Sequence, residues 1–278
     1  MSHAQTQFCS APFDAVAARY DETFTLSKIG QAQRASVWKE LGRTFDSGDR
    51  VLEIGCGTGV DACFLAEQGV RVVASDSSAQ MIAVATRRIR ERGQRGLVQP
   101  LVLRAEEVTA LPADESFDGV FSNFGALNCI ADLRKLSQDL ATLLKPGASA
   151  LLCWMGPFCL WEMAWYSAQG KWDKAFRRLN NQGGIRARIA EGAFVRVDYP
   201  SVRSLARTFA PEFRLTSFTG VGVAVPPSYL EHWAQRHPHL LHLCEKADSY
   251  LGKCPGVRGL ADHLLLRFER QPTRLANS

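Results

Sequence analysis

The residue pattern with the clearest chemical use is a glycine-rich loop with the spacing G-x-G-x-G, formed by Gly55, Gly57 and Gly59. Glycine has no Cβ, so the chain can turn tightly there and a ligand can lie against bare backbone. A dinucleotide-binding loop needs glycine at position 60, and a P-loop needs lysine after its last glycine, whereas this chain continues with Val60 and Asp61. An acid in the first turn of the following helix also repels a pyrophosphate. The loop therefore predicts a ligand without phosphate groups.

A single acid, Asp76, supplies the second half of the predicted site. It ends the second apolar run, VVASD, 21 residues after Gly55. A carboxylate at that place can accept hydrogen bonds from both hydroxyls of a ribose. The alternative is an N-cap for the next helix, although Ser77 and Ser78 can cap that helix without it. A phosphate-free ligand that carries a ribose points to S-adenosylmethionine.

Apolar runs and helical patterns alternate through the first half of the chain. The apolar runs, each about as long as a strand, are 50–55, 70–76, 100–105, 116–124 and 148–155. The patterns with helical spacing between them are 61–69, 77–93 and 132–147. Strands and helices in alternation predict βαβ crossovers and a doubly wound α/β fold, in which helices cover both faces of a parallel sheet.

The second half of the chain differs in composition. Residues 155–200 are rich in aromatic residues and arginine. The further elements predicted are a helix over 201–213, a strand over 213–225, a helix over 226–252 interrupted at Pro238, and a strand over 262–270. Insertions at the carboxyl edge of a parallel sheet lie where ligands bind, so we expect 155–200 and 226–260 to be helical insertions that cap the site. The alternative is that these segments only pack on the sheet.

Composition and charge narrow the class of protein. The 278 residues are 46% hydrophobic and 22% charged, as in ordinary globular proteins, and the net charge of +5 is too small for a dedicated nucleic-acid binder. The eight cysteines form no C-x-x-C pair, which favours free thiols in a reducing cytoplasm. The chain opens without a signal-peptide pattern, and no apolar run reaches the roughly 20 residues of a membrane span. We therefore expect a cytoplasmic protein without a membrane span.

Five stretches of the sequence, taken in their order and spacing, resemble the class I S-adenosylmethionine-dependent methyltransferases, especially the small-molecule branch similar to ubiquinone and menaquinone methyltransferases. They are FDAVAARYD (13–21), VLEIGCGTG (51–59), VVASDSSAQMIAVA (72–85), LPADESFDGVFSN (111–123) and LLKPGA (143–148). The resemblance implies a Rossmann-like sheet of seven strands whose last strand, DHLLLRFER, is antiparallel. It also implies methyl transfer from S-adenosylmethionine, with S-adenosylhomocysteine as product.

The resemblance implies roles for individual residues as well. The positions that match the family's cofactor-binding residues are Tyr20, Glu53, Gly55, Cys56, Gly57, Gly59, Asp76, Ser77, Met81, Ala105, Glu106, Asn123 and Phe124. The match departs after the third strand, where the family usually has Gly-Asp near the adenine amine and this chain has Arg104-Ala105. Glu106 or backbone groups would have to substitute there. Tyr20 would close over the cofactor, and its alternative role is a core tyrosine that anchors an N-terminal helix.

The sequence does not single out a catalytic base. Methyl transfer from a sulfonium is an in-line displacement, so the enzyme mainly positions the nucleophile and excludes water, although an oxygen or carbon nucleophile can also need a base. The candidates are His232, from the histidine-rich run 232–242, His263 before the last strand, and Tyr20. Histidines with a surface or core role are the alternative. No residue cluster has the spacing of a metal site, so we expect none.

We expect a single methyltransferase domain over 1–278. Its core would be about 35–154 plus 201–225 and 262–270, with cap segments at about 1–34, 155–200 and 226–260. The acceptor would be a small, partly apolar molecule bound between Tyr20, Asn123 and the aromatic segment that begins at Trp154.

Two other functions stay open from the sequence: a nucleic-acid or protein methyltransferase, and a non-catalytic protein that binds the cofactor or its product. The Asn-Pro-Pro-Tyr motif of amino-methylating DNA enzymes is absent after the fourth strand, which reads SNFGALN, and no RNA-binding module is visible. The non-catalytic alternative needs the same cofactor pocket, so the cofactor motifs cannot separate it from an enzyme. The oligomeric state is not indicated.

Overall fold

The central sheet has seven strands in the order β3-β2-β1-β4-β5-β9-β8. The computed structural model describes residues 11–112, 116–179 and 184–272. The strands are β1 (Arg50–Ile54), β2 (Arg71–Asp76), β3 (Val98–Val102), β4 (Phe117–Ser122), β5 (Leu144–Met155), β6 (Ile185–Ala190), β7 (Ala193–Val197), β8 (Phe213–Val221) and β9 (His263–Arg270). Strands β1 to β5 are parallel, and β9 lies antiparallel between β5 and β8. The seven-stranded Rossmann-like sheet with an antiparallel last strand is thus confirmed.

Helices cover both faces of this sheet. They are α1 (Lys28–Leu41), α2 (Val60–Glu67), α3 (Ala79–Glu91), α4 (Leu133–Leu143), α5 (Leu160–Ala168), α6 (Trp172–Ala175), α7 (Val202–Phe209), α8 (Glu231–Arg236) and α9 (Pro238–Leu251). A 3-10 helix, Pro12–Arg19, and a single π-helical turn, Asp21–Thr25, precede α1. Among the described residues, no helix combines the length and apolar character that crossing a membrane requires.

The core has two layers because side chains alternate across each strand. Along β5, Leu151 and Cys153 face the layer that includes residues of α1, α2 and α3, whereas Leu152 and Trp154 face the layer with α4 and α7. Trp154 is completely buried between Phe209 and Phe268. The expectation that the aromatic acceptor wall begins at Trp154 is therefore wrong: alternation along β5 turns this indole into the core.

Local sequence signals explain where several helices begin. The Ser78 hydroxyl accepts a hydrogen bond from the backbone N–H of Met81, so this serine caps α3 as the sequence indicates. Pro238 occupies the first position of α9, where a missing N–H costs nothing, and it separates α9 from α8 as expected. The break at Pro238 thus divides the predicted helix into two.

The segment 155–200 is not purely helical, in contrast to the helical cap that the sequence predicted. Strands β6 and β7 form a separate antiparallel hairpin joined by Glu191 and Gly192. Gly192 adopts a positive φ of 74°, which a two-residue hairpin turn favours. Alternating charged and apolar residues in IRARIA carry the signal for these strands, because their period is two. The predicted boundary between residues 34 and 35 also falls inside α1.

Candidate functional site

Loops from several strands converge on one pocket at the carboxyl edge of the sheet. The pocket is lined by Tyr20, Arg34, Gly55, Cys56, Gly57, Thr58, Val60, Asp61, Asn123 and Phe124. Gly55 and Gly57 follow β1, and Asn123 and Phe124 follow β4. Because β1 and β4 are adjacent and parallel, their carboxyl ends lie side by side and bring these residues together. Six of the predicted cofactor-binding residues line this pocket.

The three glycines of the loop serve different purposes. All three have positive φ, 71° at Gly55, 52° at Gly57 and 74° at Gly59. A Cβ at Gly55 would lie 2.4 Å from the Cβ of Ala126, and one at Gly59 would lie 2.9 Å from the Cβ of Ala85. A Cβ at Gly57 would meet nothing within 4 Å. Close packing therefore requires Gly55 and Gly59, and only Gly57 offers bare backbone beside open space.

The carboxylate of Asp76 links the glycine loop to the start of α3. Its Oδ2 accepts a hydrogen bond from the backbone N–H of Gly57 at 2.9 Å, and its Oδ1 accepts one from that of Ser78 at 2.8 Å. Burial raises the pKa of Asp76, and these two N–H donors oppose that rise. Because each carboxylate oxygen can accept more than one hydrogen bond, both retain capacity for the hydroxyls of a ribose.

Glu53 provides the buried polar atom that a ligand would satisfy. Its side chain is buried, and Oε2 has no hydrogen-bond partner among the described residues. Burial raises the pKa of Glu53 well above its usual range, and the nearby charge of Asp61 adds to that rise. A buried polar atom without a partner is costly, so it fits a site completed by a ligand. The cradle of Glu53, Gly57 and Asp76 fits the amino-acid and ribose parts of S-adenosylmethionine.

A buried ion pair beneath the pocket was not foreseen from the sequence. Asp61 accepts hydrogen bonds from Arg34 Nη1 at 2.6 Å, Trp38 Nε1 at 2.7 Å and Asn123 Nδ2 at 3.0 Å. The side-chain amide of Asn123, which was predicted to contact the cofactor and the acceptor, therefore donates to Asp61. Arg34 and Trp38 are four residues apart on α1 and so share a face, and this spacing is the sequence signal that could have indicated a common partner.

Phe124 holds an unusual backbone conformation at the centre of the site. Its φ is +47°, which is rare for a residue with a bulky side chain and concentrates at functional sites. The Arg34 guanidinium lies over its ring at 4.8 Å, and Phe24 packs edge-on at 5.0 Å between centroids. The His263 ring packs edge-on from another direction at 5.5 Å. Phe124 thus joins the cofactor pocket to the start of β9.

Hydrogen bonds join the N-terminal segment to the glycine loop and to the start of α3. Thr58 Oγ1 donates a hydrogen bond to Asp21 Oδ1 at 2.8 Å, and Ser78 Oγ donates one to Asp14 Oδ1 at 2.5 Å. These contacts hold Tyr20 in the pocket lining. Burial raises the pKa of Tyr20 to about 12, so its hydroxyl stays protonated at neutral pH and can donate a hydrogen bond. That property makes Tyr20 a poor candidate for the base.

Besides Glu53, Gly59 and Asp76, four residues predicted to contact the cofactor lie outside the pocket lining. Ser77 is exposed, whereas Met81 and Ala105 are buried. Glu106 is partly exposed and pairs loosely with Arg104, with 3.7 Å between Nε and Oε2. The assignment of these residues to the adenine stays a prediction.

The histidine-rich run lies on the surface. His232 is exposed on α8, and His237, His239 and His242 are exposed as well. His263, in contrast, is buried at the first position of β9. The structure therefore separates the two histidine candidates and places only His263 against a residue of the pocket lining.

The aromatic residues of 155–200 divide into two groups. Trp161 Nε1 donates a hydrogen bond to the carbonyl of Ala224, and its ring packs against Trp233, so Trp161 joins the two predicted cap segments. Trp165 and Trp172 are exposed by 42% and 59%. Trp161 is thus engaged in packing, whereas Trp165 faces solvent. No described group of three or more His, Cys, Asp or Glu residues is placed to hold a metal ion.

Comparison with known proteins identifies a family model that matches part of the chain. Residues 51–147, which contain the glycine loop, Asp76 and Phe124, match the family model described as a methyltransferase domain. This part of the chain is therefore similar to a methyltransferase domain.

One relative of the methyltransferase domain is a demethylmenaquinone methyltransferase of Clavibacter sepedonicus. It is 35% identical over 145 residues, which are 52% of this chain and 56% of that protein. The chain spans about half the length of the curated relatives it matches.

Solved structures extend the similarity of fold beyond the matched half. An S-adenosylmethionine-dependent methyltransferase from Mesorhizobium loti covers 87% of this chain and 100% of its own, with a TM-score of 0.55 and 16% identity. The cyclase SpnF covers 93% of this chain and 80% of its own, with a TM-score of 0.52 and 16% identity. The fold is thus shared with a cyclase, and fold alone does not determine the reaction.

Proposed function

We propose that this protein transfers a methyl group from S-adenosylmethionine to a small, partly apolar acceptor with a hydroxylated, quinone-type ring. The observation that carries the proposal is that Glu53 and Asp76 lie at the carboxyl ends of β1 and β2, at the same edge of the sheet as the pocket-lining residues Gly57 and Phe124 and within the region that matches a methyltransferase domain. The ring class comes from relatives named demethylmenaquinone methyltransferase. Burial of several unpaired cysteines among the described residues supports a reducing, cytoplasmic location.

The side chains of the pocket would bind the cofactor and exclude water. When bound, S-adenosylmethionine supplies a methyl group activated by its sulfonium. Asp76 would accept hydrogen bonds from the ribose, and Glu53 would pair with polar groups of the amino-acid part. Tyr20 and Phe124 would exclude water from the reacting end, since both line the pocket and Phe24 packs on both rings.

The segments 1–34, 155–200 and 226–260 would cap the acceptor site over one methyltransferase core. Two contacts support this arrangement. The carboxylate of Glu231 accepts hydrogen bonds from the backbone N–H groups of Lys28 and Ile29, which joins α8 to the start of α1. Asn128 Nδ2 donates to the carbonyls of Met155 and Asp198, which fixes both ends of 155–200 beside the loop after β4.

A labelled-methyl assay tests the proposed function. The protein is incubated with methyl-deuterated S-adenosylmethionine and four acceptor classes: reduced naphthoquinones, other phenols, amines, and nucleic acid or protein. Mass spectrometry should show label in a hydroxylated ring compound, and Asp76→Ala should slow that transfer. Label only in nucleic acid or protein would contradict the acceptor class. Binding of S-adenosylhomocysteine without transfer to any class would favour a non-catalytic role.

A further inference from the structure

A cluster of buried charged residues lies where the 155–200 segment meets the start of β9. Glu162, Arg178, Asp262 and His263 are all at most 6% exposed. Arg178 Nη2 lies 2.7 Å from Asp262 Oδ1, and Arg178 Nε donates a hydrogen bond to Glu162 Oε2 at 2.9 Å. Arg178 Nη1 also donates to the backbone carbonyl of Asp262 at 3.1 Å. The guanidinium therefore fixes both the side chain and the backbone of Asp262.

Burial of several charges is poor evidence of a stabilising role. Removing charged groups from water is costly, and well-packed apolar residues of similar size often stabilise a protein equally well. A buried cluster of charged residues near a binding pocket is therefore a candidate for a chemical role. The position of His263 indicates what that role is.

The fold brings His263 to the reacting edge of the sheet. Because β9 is antiparallel to β5, its first residue pairs with Met155 at the carboxyl end of β5. The imidazole packs edge-on against Phe124, which lines the cofactor pocket. His263 is thus separated from that pocket by a single ring.

The surroundings of His263 orient its ring. Nδ1 lies 3.4 Å from Asp262 Oδ2, and it makes no hydrogen bond to the described residues. Gln33 Nε2 donates to the same Oδ2 at 3.4 Å, and Arg178 holds the other oxygen. Burial alone would raise the pKa of Asp262, but the neighbouring charge of Arg178 helps to hold it below its usual range. A carboxylate beside Nδ1 favours the tautomer protonated there and leaves the Nε2 lone pair available.

We propose that His263 is the base that removes a proton from the acceptor, with Asp262 and Arg178 as positioning residues. This proposal rests on the proposed methyltransferase function. Nε2 takes the hydroxyl proton of the acceptor, the nucleophilic atom bonds to the methyl carbon, and the C–S bond breaks with its electron pair going to sulfur. The positive charge of the sulfonium thereby passes to the imidazolium, beside the Asp262 carboxylate.

The other ionisable groups around Phe124 are less suited to this role. Arg34 and Asp61 are paired with each other, and Tyr20 holds its proton at neutral pH. Glu162 faces Arg178 rather than the pocket lining. His263 is the group in this set that combines contact with Phe124 and an orienting carboxylate.

Turnover of matched histidine variants tests the proposal. The wild type, His263→Gln and the surface control His232→Gln are compared with an acceptor that the wild type methylates. His263→Gln should lower kcat by roughly 10²–10⁴-fold, the usual contribution of acid–base catalysis, with affinity for S-adenosylhomocysteine unchanged. His232→Gln should match the wild type. Added imidazole should partly restore His263→Ala. Wild-type kcat in His263→Gln would overturn the proposal, and absence of wild-type transfer would instead overturn the proposed function.

A spectroscopic measurement covers the case in which the variants fail to fold. In wild-type protein with ¹⁵N-labelled histidine, the neutral His263 ring should show the Nδ1-protonated tautomer, and Asp262→Asn should shift that signal. Asp262→Asn should also lower kcat while leaving the KM for S-adenosylmethionine unchanged. A neutral ring protonated at Nε2 in the wild type would overturn the proposal whatever the variants do.

Discussion

Replacement of Asp76 with alanine tests the cofactor cradle. The substitution removes the acceptor for two backbone N–H groups, those of Gly57 and Ser78, at 2.9 and 2.8 Å. It also removes the acceptor proposed for the ribose hydroxyls. Hydrogen bonds to a charged group contribute about 1.5–3 kcal/mol, so the affinity for S-adenosylhomocysteine should fall by roughly 10- to 150-fold. The free energy of unfolding should also fall, by about 1–3 kcal/mol for each buried N–H group that is left without an acceptor.

Calorimetric titration with S-adenosylhomocysteine measures this effect, and circular dichroism verifies that the variant is folded. Asp118→Ala is the matched control, since it removes the same charge. Asp118 accepts a hydrogen bond from the N–H of Arg50, at the beginning of β1 and thus at the opposite end of that strand from the glycine loop. The control should bind the ligand as the wild type does. Equal affinities of folded Asp76→Ala and wild type would refute the ribose assignment.

Three further predictions follow from the same geometry. Gly57→Ala should weaken S-adenosylhomocysteine binding in calorimetry, and the positive φ at this position should lower the stability by about 1–2 kcal/mol. Gly55→Ala should unfold at a clearly lower urea concentration, because its Cβ would collide with Ala126. A larger loss of stability in Gly57→Ala than in Gly55→Ala would contradict these roles. Arg34→Ala should lower the free energy of unfolding, measured in urea, by about 3–5 kcal/mol, because it leaves the buried carboxylate of Asp61 without its ion-pair partner. The control Arg92→Ala removes an exposed ion pair and should cost at most about 1 kcal/mol. Equal losses in the two variants would argue against a buried pair. The folded-state pKa of Tyr20, about 12, exceeds the ordinary 10.0, so this residue's contribution to stability is complete below pH 10.0 and is lost as pH rises towards 12. Tyr20→Phe should reduce this loss of unfolding free energy at alkaline pH by at most about 2–3 kcal/mol. An unchanged dependence of stability on pH would show that Tyr20 is not shielded from water.

The sequence was sufficient for the sheet and for the glycine loop. Buried strands in this fold are short apolar runs separated by helical patterns, so their positions along the chain could be predicted locally. The seven-stranded sheet with its antiparallel last strand was instead an implication of the family resemblance. The turn into α3 could be predicted as well, because Ser78 caps the helix through a contact only three residues away. The functional loop followed because Gly55 and Gly59 need backbone conformations that other residues rarely adopt.

Contacts between residues distant in the chain were not predictable in the same way. Asp61 was interpreted only as a charge that repels phosphate, but it is also the acceptor for Arg34 and Asn123, which lie on different elements. An apolar or aromatic residue type also does not indicate on which face of the sheet the side chain lies. Trp154 belongs to the core because its face of β5 meets Phe209 of α7 and Phe268 of β9, which are both distant in the chain.

The histidine candidates show the same limit. Sequence spacing directed attention to the run that contains His232, where four histidines lie close together. The structure places that run on the surface and brings the isolated His263 to Phe124 through strand pairing between β5 and β9. Pairing partners more than 100 residues apart, such as Met155 and His263, leave no local signal in the chain.

A crystal structure with S-adenosylhomocysteine is the most direct test of the central claim that this edge of the sheet is the cofactor site. The ribose hydroxyls should lie within hydrogen-bonding distance of Asp76, with the amino-acid part beside Glu53 and Gly57 and the sulfur near Phe124. A ligand bound elsewhere, or bound in this pocket with its ribose away from Asp76, would contradict the account.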